Sequence, residues 1–188
     1  MNLEMDRVEV FSKRVHSIAL KVEDFEPRMV KEFNPSLDTF VRSAAFCLDN
    51  MDRILKKDDE TDIDKVEYLN YAAKIVQMGM YGHQYAVGEK GGYTRLANQM
   101  VETYIRKNAD YGDSFGASCD KYGPVAAHVR MGDKINRLKS LVLRKQNAQV
   151  KDETVADTFL DLACYAAMHL THIEIKANEE EKEDDDER

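Results

Sequence analysis

Apolar residues recur at helical spacing along most of the chain. The first stripe comprises Val8, Phe11, Val15, Ile18 and Val22, which stand three or four residues apart. Similar stripes predict a second helix from Ser36, a third after Thr61, a fourth from about 93 to 107, a fifth from Pro124 to about Arg144 and a sixth after Thr154. The strict alternation typical of strands does not occur in these stripes. The pattern therefore predicts an all-α protein, a bundle of about six helices.

Residues 108–124, "NADYGDSFGASCDKYGP", interrupt the helical pattern. They are rich in Gly, Ser, Asn and Asp, which favour turns, and they end at Pro124, a residue preferred at the first position of a helix. We therefore expect this segment to be a loop between the fourth and fifth helices.

Two stretches of the chain resemble each other. "DETDIDKVEYLNYAAK" (59–74) is echoed by "DETVADTFLDLACYAAM" (152–168), and each follows an Asp-x-x-(Asp/Asn)-Arg sequence. Helix capping explains part of the echo, with Thr61 and Thr154 as N-caps and Asp64 and Asp157 three residues later. The paired order also predicts a duplicated helical hairpin, with 36–80 related to 124–172 by a pseudo-twofold rotation.

Charge is concentrated at the carboxyl end of the sequence. The 188 residues carry a formal charge of -8, and residues 176–188 hold eight acidic and three basic side chains, a charge of -5, which leaves -3 for residues 1–175. We expect a single helical domain over 1–175 and a disordered acidic tail over 176–188. No basic stripe is present to form a direct nucleic-acid groove.

The sequence also indicates the cellular setting. No run approaches the roughly 18 to 20 apolar residues of a membrane span, and the first residues, "MNLEMDRVEV", lack the features of a signal peptide. The three cysteines form no CxxC pair. We expect a soluble cytoplasmic protein with no membrane partner.

The last predicted helix carries carboxylates at helical spacing. Glu153, Asp157 and Asp161 stand at i, i+4 and i+8, so helical geometry lines them along one face. Asp161 lies in a largely apolar segment, which predicts partial burial, and a buried carboxylate requires a cation or a donor network. Together with Asp133 of the fifth helix, these oxygens predict a Mg²⁺ or Mn²⁺ site in which Asp133 and Asp161 are catalytic.

Basic residues on the fifth predicted helix allow two interpretations of this face. Arg130, Lys134 and Arg137 form either a salt-bridge ladder with the carboxylates or a cluster that neutralises phosphates. Lys107 could meet a phosphate and Tyr111 could stack on a base. The residues predicted to bind a nucleotide are Lys107, Tyr111, Arg130, Lys134, Asn136 and Arg137.

Three segments together resemble a known family. "KNADYGDSF", "VRMGDKINRLKSL" and "DETVADTFLDLACYAAM" are similar to the helical nucleotide modification associated domain proteins of bacteria and phages. The resemblance covers 107 to about 170, and residues 1–106 lie outside it. This family is distantly similar to the MazG-like all-α nucleoside triphosphate pyrophosphohydrolases and dimeric dUTPases, which hold Mg²⁺ through Glu-Glu-x-x-Glu on one helix and Glu-x-x-Asp on another.

The resemblance implies a Mg²⁺-dependent protein that hydrolyses a (deoxy)nucleoside triphosphate to monophosphate and pyrophosphate in phage or bacterial nucleotide metabolism. The chain departs from the MazG-like signature because Lys134 and Arg137 stand where acidic residues are expected. That departure favours the alternative, a nucleotide-binding or protein-interaction module without catalysis. We also expect a homodimer, because the apolar stripe of the first helix has no evident partner in the chain.

Overall fold

The computed structural model describes residues 3–59, 61–146 and 153–186. Within these ranges the chain forms helices and no strand, so the all-α prediction is confirmed. None of the described helices is both long enough and apolar enough to cross a membrane. A short π-helix spans Lys139–Leu143, and the α-helices are α1 (Leu3–Phe33), α2 (Leu37–Leu55), α3 (Asp62–Val87), α4 (Tyr93–Tyr111), α5 (Ser114–Tyr122), α6 (Val125–Leu138) and α7 (Val155–Asp186).

Capping accounts for the echoed Asp-Glu-Thr stretches. The Thr61 hydroxyl accepts from the Asp64 amide at 3.2 Å, and the Asp64 carboxylate accepts from the Thr61 amide at 3.1 Å. At the start of α7 the Asp157 amide donates to the Thr154 hydroxyl at 3.1 Å, and the Thr154 amide donates to Asp157 at 2.9 Å. Both helices therefore begin with the same reciprocal box, as predicted. Asp152, which begins the second stretch, lies outside the described residues.

Each predicted hairpin consists of two packed helices. α2 packs against α3, α6 packs against α7, and α3 and α7 make the most extensive contact between helices. The fifth predicted helix ends earlier than expected as an α-helix, because α6 passes into the π-helix at Lys139. Hairpins and matching caps agree with duplication, but the pseudo-twofold relationship itself stays a prediction.

A glycine allows α3 and α7 to approach closely. A methyl group added at Gly79 would lie 2.7 Å from the Ala163 side chain and 2.8 Å from the Phe159 carbonyl oxygen. Such distances are shorter than van der Waals contact, so this crossing requires a residue without a side chain. Phe159 and Ala163 are fully buried there.

The apolar stripe of α1 finds its partners within the chain. Phe11, Val15, Ile18 and Val22 are all buried, and α1 packs against α3, α4 and α7. The rings of Phe11 and Tyr104 stack with centroids 4.3 Å apart. The homodimer was predicted because this stripe lacked a partner, and that reason no longer holds.

The predicted loop 108–124 is largely helical, which corrects the sequence interpretation. α4 continues to Tyr111 and α5 occupies 114–122. The Asp113 carboxylate caps α5 by accepting from the Gly116 amide at 3.0 Å. Gly112 and Gly123 bound α5 with φ of 63° and 70°, a region that glycine adopts readily. The Gly and Asp residues that indicated a loop are thus the boundaries of a short helix.

The acidic segment 176–188 differs from its predicted disorder, since α7 continues to Asp186. Ile175 is buried, which carries the apolar face of α7 to the start of this segment. The Lys176 ammonium lies 3.1 Å from carboxylate oxygens of both Asp120 and Glu179. The buried Ile175 and the Lys176–Glu179 ion pair, which joins residues one turn apart, stabilise this part of α7. Residues 187 and 188 lie outside the described part of the chain.

Candidate functional site

A cavity of about 720 Å³ opens where four helices meet. Its wall is formed by the second half of α4, by α5, by the start of α6 and by the middle of α7, with one residue from α1. The volume lies within the range typical of small-molecule sites in proteins. This junction depends on α5, the helix within the segment that the sequence predicted to be a loop.

Aromatic rings form much of this wall. Phe115 of α5 lies 6.1 Å from Tyr165 of α7, measured between ring centroids. Tyr111 and Tyr122 stand at the ends of α4 and α5 with 72% and 58% of their surfaces exposed, so these two rings are accessible to a ligand. Tyr104 and Phe11 close the inner side with their stacked pair. The cavity thus offers flat apolar faces.

Three charged side chains also line the cavity: Lys107, Arg130 and Asp161. The Lys107 ammonium lies 3.8 Å from the Asp161 carboxylate and is 58% exposed, so this ion pair is loose and open to solvent. Arg130 is exposed on α6. Since exposed ion pairs contribute little to stability, Lys107 can leave Asp161 for an incoming anion at low cost. The exposed Arg130 is accessible to the same anion.

A salt-bridge ladder lies beside the cavity, between α6 and α7. The Lys134 ammonium is 2.8 Å from the Asp161 carboxylate and 3.0 Å from that of Glu153. The Arg137 guanidinium lies 3.4 Å from the Glu153 carboxylate and donates to the Glu153 carbonyl oxygen at 2.8 Å. Burial acts to lower the pKa of Lys134, but the hydrogen bonds with Asp161 and Glu153 outweigh it and raise that pKa. Lys134 and Arg137 thus pair with Glu153 and Asp161 as a ladder would pair them, and among the described ion pairs neither Arg130 nor Asp157 takes part.

The carboxylates predicted to hold Mg²⁺ have other roles. Glu153 and Asp161 pair with the ladder cations, while Asp157 is exposed and caps α7. Asp133 is exposed on α6. Among the described residues, which include all four predicted ligands, no group of three or more His, Cys, Asp or Glu side chains is placed to hold a metal ion. The donor set therefore does not fit the Mg²⁺ or Mn²⁺ site that the sequence predicted.

The six residues predicted to bind a nucleotide lie in three different surroundings. Lys107, Tyr111 and Arg130 line the cavity, whereas Lys134 and Arg137 belong to the ladder behind it. Asn136 is exposed on α6 and is not part of the cavity wall. The candidate residues from the sequence did not include Phe115, Tyr122 and Tyr165, which also line the cavity. Phe115 and Tyr122 are aromatic residues of the supposed loop, and Tyr165 stands four residues after Asp161 on α7, at helical spacing.

A buried polar chain crosses the core near this site. The Tyr68 hydroxyl lies 2.8 Å from His128 Nε2 and 2.7 Å from His169 Nε2, and His128 Nδ1 bonds to the Asp52 carboxylate. Burial first, and then the neighbouring histidines His128 and His172, lower the pKa of His169 to about 3. The chain links α2, α3, α6 and α7, and two of these helices, α6 and α7, form part of the cavity wall.

Comparison with known proteins identifies one region of the chain. Residues 107–173 match the family model described as nucleotide modification associated domain 1. This segment contains every residue that the sequence predicted for the site and most of the cavity wall, and Phe11, Thr103 and Tyr104 are the lining residues outside it. No curated protein and no solved structure matches the chain. The similarity to MazG-like enzymes stays a prediction.

Proposed function

We propose that the cavity binds a nucleotide, with phosphate against Lys107 and Arg130 and the base against the aromatic wall. The observation that carries this proposal is the coincidence of an aromatic wall and two accessible cations in one cavity within the matched segment. The description of the matched family, which refers to nucleotide modification, supports the same class of ligand.

The two parts of the wall suit the two parts of a nucleotide. An arginine guanidinium recognises phosphate oxygens through paired hydrogen bonds, and a lysine adds a point charge. Stacking of a base on an aromatic side chain contributes about 1 to 3 kcal/mol. Tyr111 and Tyr122, with their exposed rings, are the side chains best placed to stack on an entering base.

Binding without hydrolysis is the activity that the geometry supports best. Hydrolysis assisted by Mg²⁺ would require Asp161 and Glu153 to leave Lys134, with which both are in direct contact. Mg²⁺ would have to displace the Lys134 ammonium from both carboxylates, and this largely buried lysine would then lose the partners that offset its charge. We therefore place the predicted pyrophosphohydrolase second and a nucleotide-binding module first.

Calorimetric titration with a panel of deoxynucleotides, with and without Mg²⁺, tests this proposal. Arg130→Gln should weaken binding about tenfold, because losing one charge-assisted hydrogen bond costs about 1.5 kcal/mol. Arg106→Gln is the matched control, since Arg106 is an exposed arginine of α4 outside the cavity wall. Equal effects of the two substitutions, or no heat with any nucleotide, would contradict the proposal.

A further inference from the structure

The charge of the cavity wall indicates how many phosphate groups the bound nucleotide carries. Lys107 and Arg130 contribute two cations and Asp161 one anion, so the ionisable lining has a formal charge of +1. Burial raises the pKa of the Cys164 thiol to about 12, so this lining residue is neutral at physiological pH. The wall can therefore offset only a small negative charge.

The ladder behind the cavity is electrically neutral when Asp161 is counted as part of it. Lys134 is held between Asp161 and Glu153, and Arg137 is held by Glu153 and by the Thr158 hydroxyl at 3.1 Å. Lys134 and Arg137 carry two positive charges, and Asp161 and Glu153, within 3.4 Å of them, carry two negative charges. With Asp161 counted in the ladder, the charge left at the cavity is the +2 of Lys107 and Arg130. The Asp161 side chain is 30% exposed and lines the cavity, so its carboxylate is the acidic group of the wall.

We infer that the ligand of this cavity is a nucleoside monophosphate, bound without a divalent metal ion. This inference rests on the proposed function and specifies its substrate class. A phosphomonoester carries about -2 at neutral pH, which two accessible cations can match. A triphosphate carries roughly twice that charge, and its additional phosphates would meet the Asp161 carboxylate in a site where like charges repel.

The aromatic wall distinguishes the nucleotide from other phosphomonoesters. Inorganic phosphate and ribose 5-phosphate carry the same anion but no base, so they would engage Lys107 and Arg130 without stacking on Tyr111 or Tyr122. Since stacking on an aromatic side chain strengthens the binding of a base, the nucleoside monophosphate should bind more tightly than either compound. These two compounds therefore serve as probes of the phosphate subsite alone.

Isothermal titration calorimetry of the full chain with a phosphate series tests the inference. The ligands are the mono-, di- and triphosphates of the four deoxynucleosides, each in EDTA and in Mg²⁺, with inorganic phosphate and ribose 5-phosphate for comparison. For at least one base, we expect the monophosphate in EDTA to bind at least about tenfold more tightly than the triphosphate and than both small phosphates, with no change on adding Mg²⁺.

The outcomes separate this inference from the function on which it rests. A triphosphate that binds more tightly than its monophosphate in EDTA, or a monophosphate that needs Mg²⁺, overturns the inference and leaves nucleotide binding intact. Ribose 5-phosphate binding as tightly as every nucleotide overturns the role of the base. If no nucleotide of any phosphate length binds, the proposed function fails and this inference fails with it.

Discussion

The Lys134 ammonium lies 2.8 Å from the Asp161 carboxylate and joins α6 to α7. The same ammonium lies 3.0 Å from Glu153, so one lysine bridges two of the carboxylates that the sequence assigned to a metal ion. Lys134 is only 20% exposed, which limits its screening by water. A lysine thus occupies the position between these carboxylates where the sequence predicted a metal ion.

Replacing this lysine should destabilise the fold. Lys134→Met leaves Asp161 and Glu153 without their shared donor, and we expect the free energy of unfolding to fall by about 1 to 3 kcal/mol. Lys65→Met is the control, because Lys65 is 61% exposed and pairs with a fully exposed Asp62 at 3.6 Å. Urea unfolding followed by circular dichroism measures both. If Lys134→Met lowers the free energy of unfolding no more than Lys65→Met does, the ladder does not stabilise the fold.

The crossing of α3 and α7 should not tolerate a methyl group. Gly79→Ala places a carbon 2.7 Å from the Ala163 side chain, and overpacking of this kind costs about 1 to 3 kcal/mol. Gly132→Ala is the matched control on α6, because its nearest neighbour, Leu48, lies at 3.8 Å. That control should gain up to about 1 kcal/mol from helix propensity. In urea unfolding we expect Gly79→Ala to lower the free energy of unfolding and Gly132→Ala to raise it. Equal stabilities of the two variants would refute the close approach of α3 and α7.

The buried Tyr68 hydroxyl should be important for stability. Tyr68→Phe leaves the Nε2 atoms of His128 and His169 without the hydroxyl that lies within 2.8 Å of both, and we expect a loss of about 1 to 3 kcal/mol. Tyr122→Phe, on an exposed ring, should change stability by less than about 0.5 kcal/mol. Thermal and urea unfolding compare the two variants. Similar small effects would mean that the polar chain contributes little.

Acid should weaken the fold before the carboxylates titrate. The pKa of His169 is about 3 in the folded protein, mainly because of burial, and about 6.5 when the chain is unfolded. The contribution of His169 to the free energy of unfolding is therefore fully present above pH 6.5. It is lost as the pH falls from 6.5 towards 3, by roughly 1.4 kcal/mol per pH unit. His172, whose pKa burial also lowers, acts in the same direction.

Urea unfolding at pH 7 and pH 5 measures this effect, and His169→Gln should reduce the difference between the two. An NMR titration supplies a second readout, in which the His169 imidazole stays neutral from pH 7 to pH 5 in the folded chain. A His169 imidazole that protonates near pH 6.5 would refute the predicted burial effect.

Local signals made the helices predictable. Apolar stripes and the Thr-x-x-Asp boxes placed the starts of α3 and α7 correctly, because capping depends on residues only three positions apart. The segment 108–124 was misinterpreted because the same Gly and Asp residues that favour loops also bound a short helix. Asp113 acts as an N-cap, and neighbouring helices supply the burial of Cys119 that the composition does not reveal.

The site was predicted only in part, because helical spacing fixes which side chains share a face but not what faces them. Spacing grouped Asp161 with Glu153 and Asp157, yet Asp161 pairs with Lys134 across the helix interface while Asp157 caps its own helix. Lys107, Tyr111 and Arg130 were predicted from their side-chain chemistry and their positions in the chain. The cavity that these residues line is completed by α5, which the sequence interpretation did not include.

The central claim is that Asp161 is an anion beside a cationic phosphate site and is not a metal ligand. Asp161→Asn removes that anion, releases Lys107 from its 3.8 Å ion pair and keeps an oxygen that can accept from Lys134. Asp157→Asn is the matched control, one turn earlier on the same helix and outside the cavity wall.

The decisive measurement is isothermal titration calorimetry of these two variants and the unsubstituted protein with a deoxynucleoside monophosphate in EDTA. Asp161→Asn should bind about three- to tenfold more tightly than the unsubstituted protein, because one repulsive charge is gone, and Asp157→Asn should bind as the unsubstituted protein does. Loss of binding in Asp161→Asn, or binding by the unsubstituted protein that appears only with Mg²⁺, would contradict the account.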